Sequence, residues 1–222
     1  SKKKDVNAIL SSIIGQKFID YRKKWDLVNN FKLVTDFPLF LHIELNQKCN
    51  YECPHCIIGD KLLTDSMFNE KDNLSFDIYK KICDEGSEYN CPSISPQGNN
   101  EPYLNKKIEE YMYYAHKKGF IDIMMNCNAS ALTEKRIKKT LDSGITRMRF
   151  SLDAVTPDTY SKVRVGSLPL AKVEKNIMKF LELKEKGGYK LPVTGVSFCK
   201  LSSNEHEVDS FVNKWKDVVD HV

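Results

Sequence analysis

Apolar residues recur at three- and four-residue steps through Val6, Ile9, Leu10, Ile13, Ile14, Phe18, Tyr21 and Trp25, which predicts an amphipathic helix at the start of the chain, packed on the outside of the core that follows. The signal then changes. Phe37-Pro38-Leu39-Phe40-Leu41-His42-Ile43-Glu44-Leu45 is a short, aromatic-rich apolar run and reads as a buried strand. From there the pattern alternates. Helical spacing around Ser75 to Glu88 precedes the strand Ser93 to Gln97, and a helix from about Asn105 to Lys118 precedes the strand Ile121 to Asn126. Thr133 caps a helix that ends at Gly144, and Arg147 to Asp153 reads as the fourth strand. Helical residues follow from Thr156 and from Leu168 to Glu185, where Gly187-Gly188 stops them. Val193 to Cys199 is the fifth strand, and Ser202-Ser203-Asn204-Glu205 reads as a capping box opening a helix that carries Val208, Phe211, Val212 and Trp215. Val218 to Val222 looks like the approach to a sixth strand.

Strand-to-helix units in alternation predict an α/β fold with a parallel sheet and right-handed crossovers. The 222 residues suffice for one large domain with a substantial core, divided here as a helical extension over 1–36 and a core over 37–222. A net charge of +4, from 34 basic and 30 acidic residues, is too small to point to nucleic acid, since Lys2, Lys3 and Lys4 belong to a basic tail. No run reaches the roughly 18 apolar residues that span a bilayer, and the basic start is followed by Val6 to Ser12, too polar and without the small-residue cleavage site of a secretory signal. With an odd number of cysteines, seven, these features place the chain in a reducing compartment, by default the cytoplasm.

The informative chemistry lies in Cys49-Asn50-Tyr51-Glu52-Cys53-Pro54-His55-Cys56, on a loop at the C-terminal end of the first strand. Its thiols follow a C-x3-C-x2-C spacing with no fourth cysteine beside them. A ferredoxin cluster needs four thiolates and a closed zinc site four donors, whereas three thiolates hold a cubane cluster with one iron left open to a ligand that comes and goes. The alternative is a structural zinc knot that borrows Cys83, Cys91 or His55 as a fourth donor, on a scaffold or interaction module without chemistry of its own.

The spacing resembles the signature of the radical S-adenosylmethionine (radical SAM) superfamily, in which the amino and carboxylate groups of SAM chelate the fourth iron of a 4Fe-4S cluster. The resemblance implies that Cys49, Cys53 and Cys56 hold the cluster. It implies a partial (βα)6 TIM-type barrel ending near strand six. Further segments resemble the family's. Gly98-Asn99-Asn100-Glu101-Pro102 is similar to its G-G-E-P segment, with Asn99 and Asn100 in place of glycines, so Asn100 and Glu101 are the candidates for the SAM amino group. Asn126-Cys127-Asn128-Ala129 resembles a T-N-G turn, with Cys127 read as a small buried hydrophobe. Ser151-Leu152-Asp153-Ala154 is similar to S-L-D-G, where the serine meets the SAM ribose. Arg164 matches an arginine that pairs with the SAM carboxylate, a role suited to a bidentate guanidinium.

The S-L-D turn and the spacing of the last strand and helix look most like the SPASM and twitch subgroup, whose members carry a cysteine-rich C-terminal region with auxiliary clusters. No such array stands in this sequence, and the abrupt end suggests that the region was removed. By resemblance, the reduced cluster splits SAM into methionine and a 5′-deoxyadenosyl radical that abstracts hydrogen from a substrate. Peptide, carbohydrate and small-molecule substrates all remain open, and the implied electron donor is a flavodoxin or a ferredoxin.

Overall fold

The computed structural model describes residues 5–60 and 73–222; the basic tail at Lys2 to Lys4 lies outside them. Among the described residues the strands β1 (Phe40–His42), β2 (Ser93–Ser95), β3 (Asp122–Cys127), β4 (Arg147–Ser151) and β5 (Val193–Ser197) form one sheet in chain order. Every pairing is parallel. Helices α3 (Phe76–Glu88), α4 (Ile108–Lys117), α5 (Glu134–Asp142), α6 (Pro157–Val163) and α7 (Leu170–Lys186) fill the connections between strands, and α8 (Val208–Trp215) follows β5. The result is a partial TIM-type barrel, as the alternation predicts. The expected sixth strand is present as one parallel bridge between Gly195 and His221.

Three side chains placed at predicted helix starts do close the first turn. Ser75, Thr133 and Thr156 accept from the amides of Ile78, Arg136 and Thr159 at 3.2, 3.3 and 3.4 Å, satisfying donors that an open helix end leaves bare. Strand alternation then sorts the side chains. On β4, Met148 and Phe150 are fully buried beneath the helices, where Phe150 meets Phe180 of α7 edge to face at 5.3 Å. Arg147, Arg149 and Ser151 consequently point the other way, into the barrel.

The start of the chain differs from its periodicity in two ways. The single predicted helix is two, α1 (Val6–Ile14) and α2 (Gln16–Asn29), broken at Gly15, whose φ of 83° lies in the left-handed region that no helix continues through. They also do not lie on the barrel's flank. Leu10, Phe18 and Tyr21 pack against Leu39 and Val193, at the N-terminal ends of β1 and β5. Arg147 at the start of β4 donates to Asn7 Oδ1 at 3.3 Å and lies over the Phe18 ring. The pair thus floors the barrel at the end opposite the cysteine loop.

The capping box is also corrected. Ser202 opens no helix; a 3-10 turn over Glu205–Glu207 leads into α8. Asn204 is instead fully buried and acts as a latch, its Oδ1 accepting from the Leu201 amide at 2.7 Å and its Nδ2 donating to the carbonyls of Asp153 and Cys199 at 2.9 Å each. It ties the turn after β4 to the turn after β5. Buried carbonyls that lose their donor carry the full desolvation penalty. Asn204→Ala should therefore cost about 1–3 kcal/mol in urea unfolding, while Ser202→Ala leaves the midpoint unchanged; the reverse ranking would restore the capping box.

Candidate functional site

The turns at the C-terminal ends of the strands enclose a cavity of about 260 Å³ whose wall includes all the sequence-predicted site residues: Cys49, Cys53, Cys56, Asn100, Glu101, Ser151 and Arg164. They come from four separate stretches of chain, and specific bonds bring these together. The Glu52 amide donates to the Val165 carbonyl at 2.8 Å, fastening the cysteine loop to the residue after Arg164. The Glu101 amide donates to the Lys48 carbonyl at 2.8 Å, fastening the second turn to the first. Within the cysteine loop, the Cys56 amide donates to the Cys53 carbonyl at 3.0 Å and Gly59 closes the following turn so tightly that an added Cβ would lie 2.2 Å from the Cys53 carbonyl oxygen.

Each thiol sits in an environment of its own. Burial pushes the Cys49 thiol up to about 11, against the opposing effect of the Tyr51 amide, which donates to its sulfur at 3.4 Å. Burial likewise raises the Cys53 thiol, while the Arg164 guanidinium, with Nη1 3.8 Å from the sulfur, draws it down. Three thiols with N–H donors aimed at two of the sulfurs fit a cubane cluster, whose charge such bonds offset. Binding iron would displace protons from the buried thiols. Among the described residues, no three His, Cys, Asp or Glu side chains converge on a single metal ion. The thiols suggested as a fourth zinc donor, Cys83 and Cys91, are buried in the core beside Tyr79 and Ile94, away from the cavity wall.

Asp153 is the largest element that the sequence reading left without a role. It ends the Ser151-Leu152-Asp153 turn with a φ of 63° and is 1% exposed. Arg164 Nη2 forms an ion pair with its Oδ2, His55 Nε2 lies 3.4 Å from the same oxygen, and the Cys199 amide donates to Oδ1 at 2.7 Å. Burial raises this carboxyl, but the contacts with His55, Arg164 and the Cys199 amide outweigh it and hold the group below the ordinary carboxylate range. Arg164 therefore faces three ways. Its Nη2 meets Asp153, its Nη1 meets Cys53, and its Nε is a buried donor with no partner among the described residues.

The second and third turns interlock. Asn100 accepts from the Gly98 amide at 3.1 Å and donates to Asn46 at 3.4 Å. The Glu101 carboxylate bridges the Tyr103 and Asn128 amides at 3.1 and 2.7 Å, so its oxygens serve the walls of the cavity. Asn128 in turn donates to Asn50 Oδ1 at 2.9 Å, inside the cysteine loop. Ala129 has a φ of 58°, a left-handed conformation that glycine adopts most readily, at the place where the T-N-G pattern has glycine. Cys127 is buried and its thiol lies well above the ordinary range, driven first by burial, as befits a small hydrophobe. Ser151 lies 3.5 Å from the Ser197 hydroxyl on β5. Gln97, just past β2, and Asn126 of β3, joined by a bond from the Asn126 amide to Gln97 Oε1, also line the cavity; the inward strand position of Asn126 was the available signal for it.

The family model described as the radical SAM superfamily matches residues 43–213. A tungsten-containing aldehyde ferredoxin oxidoreductase cofactor-modifying protein from Pyrococcus furiosus is 23% identical over 166 residues, covering 74% of this chain and 44% of that protein. A GTP 3′,8-cyclase from Clostridium botulinum is 26% identical over 179 residues, covering 80% and 52%. The chain thus spans about half the length of the curated relatives it matches. Among solved structures, Streptococcus suis SuiB bound to S-adenosylmethionine shares the fold with a TM-score of 0.63 at 14% identity, covering 90% of this chain and 43% of SuiB.

The burial of Glu101 has a consequence for pH. Its carboxyl is raised from 4.5 to about 7, by desolvation first. Between those values the folded chain keeps a proton that the unfolded chain has released, so the contribution of Glu101 to stability falls as pH rises through that window. In metal-free protein, the stability of wild type relative to Glu101→Gln should decline by about 3 kcal/mol between pH 4.5 and 7.5. Urea unfolding at both pH values measures it; a constant difference would mean that folding leaves the titration of Glu101 unshifted.

Proposed function

Because the chain belongs to the radical SAM superfamily, we propose that it is the catalytic core of a radical SAM enzyme, with Cys49, Cys53 and Cys56 as the ligands of a 4Fe-4S cluster and SAM bound over the same cavity. The observation that carries this reading is the meeting of the three thiols with Asn100, Glu101, Ser151 and Arg164 around one chamber. When bound, the cluster supplies the electron that splits SAM into methionine and a 5′-deoxyadenosyl radical, which takes hydrogen from the substrate.

The protein's own groups bind, orient and shield. The Tyr51 amide and Arg164 Nη1 steady the thiolates. Arg164 Nε, without a partner among the described residues, suits a carboxylate such as that of SAM, and the pairing of Arg164 with Asp153 fixes the guanidinium in the orientation that offers this edge. Asn100 supplies polar acceptors for an ammonium group, Glu101 holds the turn around it, and the Ser151 hydroxyl is the partner for the ribose. The Ser151-Leu152-Asp153 turn supports a place in the SPASM and twitch subgroup. The substrate is a peptide, a carbohydrate or another small molecule, and electrons come from a flavodoxin or ferredoxin. Seven free cysteines suit a reducing compartment, the cytoplasm. Among the described residues no helix is long and apolar enough to cross a membrane.

Anaerobically reconstituted protein should hold about four irons and four sulfides per chain and release 5′-deoxyadenosine from SAM under strong reductant. Cys49→Ala, Cys53→Ala and Cys56→Ala should each abolish both. Cys83→Ala, Cys91→Ala and Cys199→Ala should retain the iron. Stoichiometric zinc with no 5′-deoxyadenosine would instead establish the non-catalytic scaffold.

A further inference from the structure

The inward face of β4 carries two arginines in very different states. Arg147 is neutralised: its Nε and Nη2 donate to Asp122 Oδ1 and Oδ2 at 2.7 and 2.8 Å. Arg149, two residues closer to the cavity, has no carboxylate partner among the described residues. Its Nε donates to Asn126 Oδ1 at 2.9 Å, and no ion pair reaches its guanidinium among the described residues. Arg136 and Arg164, by contrast, pair with the buried carboxylates of Glu109 and Asp153, and Arg22 lies over the rings of Tyr21 and Trp25 on α2. Burial and the neighbouring Arg147 both work against the charge of Arg149.

Its surroundings offer no compensation. In the sheet register Arg149 stands between Asn126 and Gly195, and the His221 imidazole lies so close over Gly195 that an added Cβ would meet it at 2.0 Å. His221 is itself pushed below its ordinary value, by burial first and then by Arg149, and an imidazole brings no negative charge in either of its states. Asn126 meanwhile belongs to the cavity wall and is held from behind by Gln97. The chain thus fixes the guanidinium by its Nε and leaves the Nη edge unpaired, with neither Nη atom sealed from solvent. A half-buried fork held in this way is matched by a planar or tetrahedral oxyanion.

We propose that Arg149 binds an anionic oxygen group of the substrate, a carboxylate or a phosphate, in the barrel interior one layer below the Ser151 position. This substrate class rests on the radical SAM reading of the adjoining chamber, whose wall Asn126, the partner of Arg149, helps to form. It narrows that reading to substrates that present an oxyanion at a set depth beneath the cofactor, which would anchor one end of the molecule while another part meets the radical. Arg149 is a specificity residue in this account. It takes no part in holding the cluster or SAM.

The test uses the full chain, anaerobically reconstituted. Butanedione modification followed by peptide mass spectrometry should label Arg149 at least tenfold faster than Arg147 and Arg164. Inorganic phosphate and sodium acetate, added separately, distinguish the two sources: protection by phosphate assigns a phosphate-bearing substrate, and protection by acetate a carboxylate. In Arg149→Gln, saturable binding of the protecting anion, read by 31P or 13C line broadening, should weaken at least tenfold, with iron content and SAM affinity unchanged. Labelling no faster than at Arg147, protection by neither anion, protection by SAM alone, or unaltered anion binding in Arg149→Gln would each overturn the proposal. Failure of the radical SAM reading itself shows separately, as missing iron or missing 5′-deoxyadenosine in wild type.

Discussion

A carboxylate that is 1% exposed must be compensated where it stands, and the whole upper end of this barrel is arranged around the compensation of Asp153. Arg164, His55 and the Cys199 amide converge on it from the end of α6, the cysteine loop and the turn after β5. Buried ion pairs seldom add net stability, because desolvation offsets most of the attraction. They do fix geometry. Removing one partner of such a pair typically costs about 3–5 kcal/mol, so the three segments have one low-energy way to meet. That arrangement points an arginine at a cysteine sulfur and orders the wall of the chamber.

The barrel interior extends this logic downward. Inward strand positions carry side chains that would be costly if unpaired, and most are paired across the sheet: Asp122 with Arg147, Asn126 with Arg149, Ser151 with Ser197. The outward positions of the same strands are mainly apolar, Ile94, Ile123, Met125, Met148, Phe150 and Val196, packed beneath helices. One face of the sheet therefore supplies the folding energy and the other is left for recognition. The α1 and α2 helices add a separate small core at the floor, so the stabilising contacts at that end are spatially removed from the thiols.

Much of this was legible in the sequence because its signals are local. The C-x3-C-x2-C spacing, the Asn100-Glu101 turn, Ser151 and Arg164 all stand where the strand alternation puts them, at the C-terminal ends of β1, β2 and β4 or shortly after. The rest depended on three-dimensional partners that no window reveals. Gly15 divides a helix whose apolar periodicity runs straight through it. Asn204 looked like part of a cap because Ser202 and Glu205 have cap spacing, yet its amide is taken by Asp153 and Cys199 across the barrel. Asp153 was visible as a motif letter only; its function emerges when Arg164 and His55, from opposite directions in sequence, reach the same oxygen. Arg147 and Arg149 are indistinguishable by type and spacing, and only the position of Asp122 separates a neutralised arginine from an open one.

The fastening of the cysteine loop to Arg164 and Val165 also sets a clock. Cys53 and Arg164 are 111 residues apart, so at about 5–20 residues per second the ribosome takes roughly 5–20 s to deliver the second after the first. Throughout that interval the three thiols have neither their guanidinium nor the Val165 carbonyl to shape the loop. Metal delivered to the nascent chain would meet a flexible trio of cysteines open to any thiophilic ion. For the cluster proposed above, loading after α6 has docked would meet thiols already held by these contacts, so metal fidelity would depend on timing as well as on ligand chemistry.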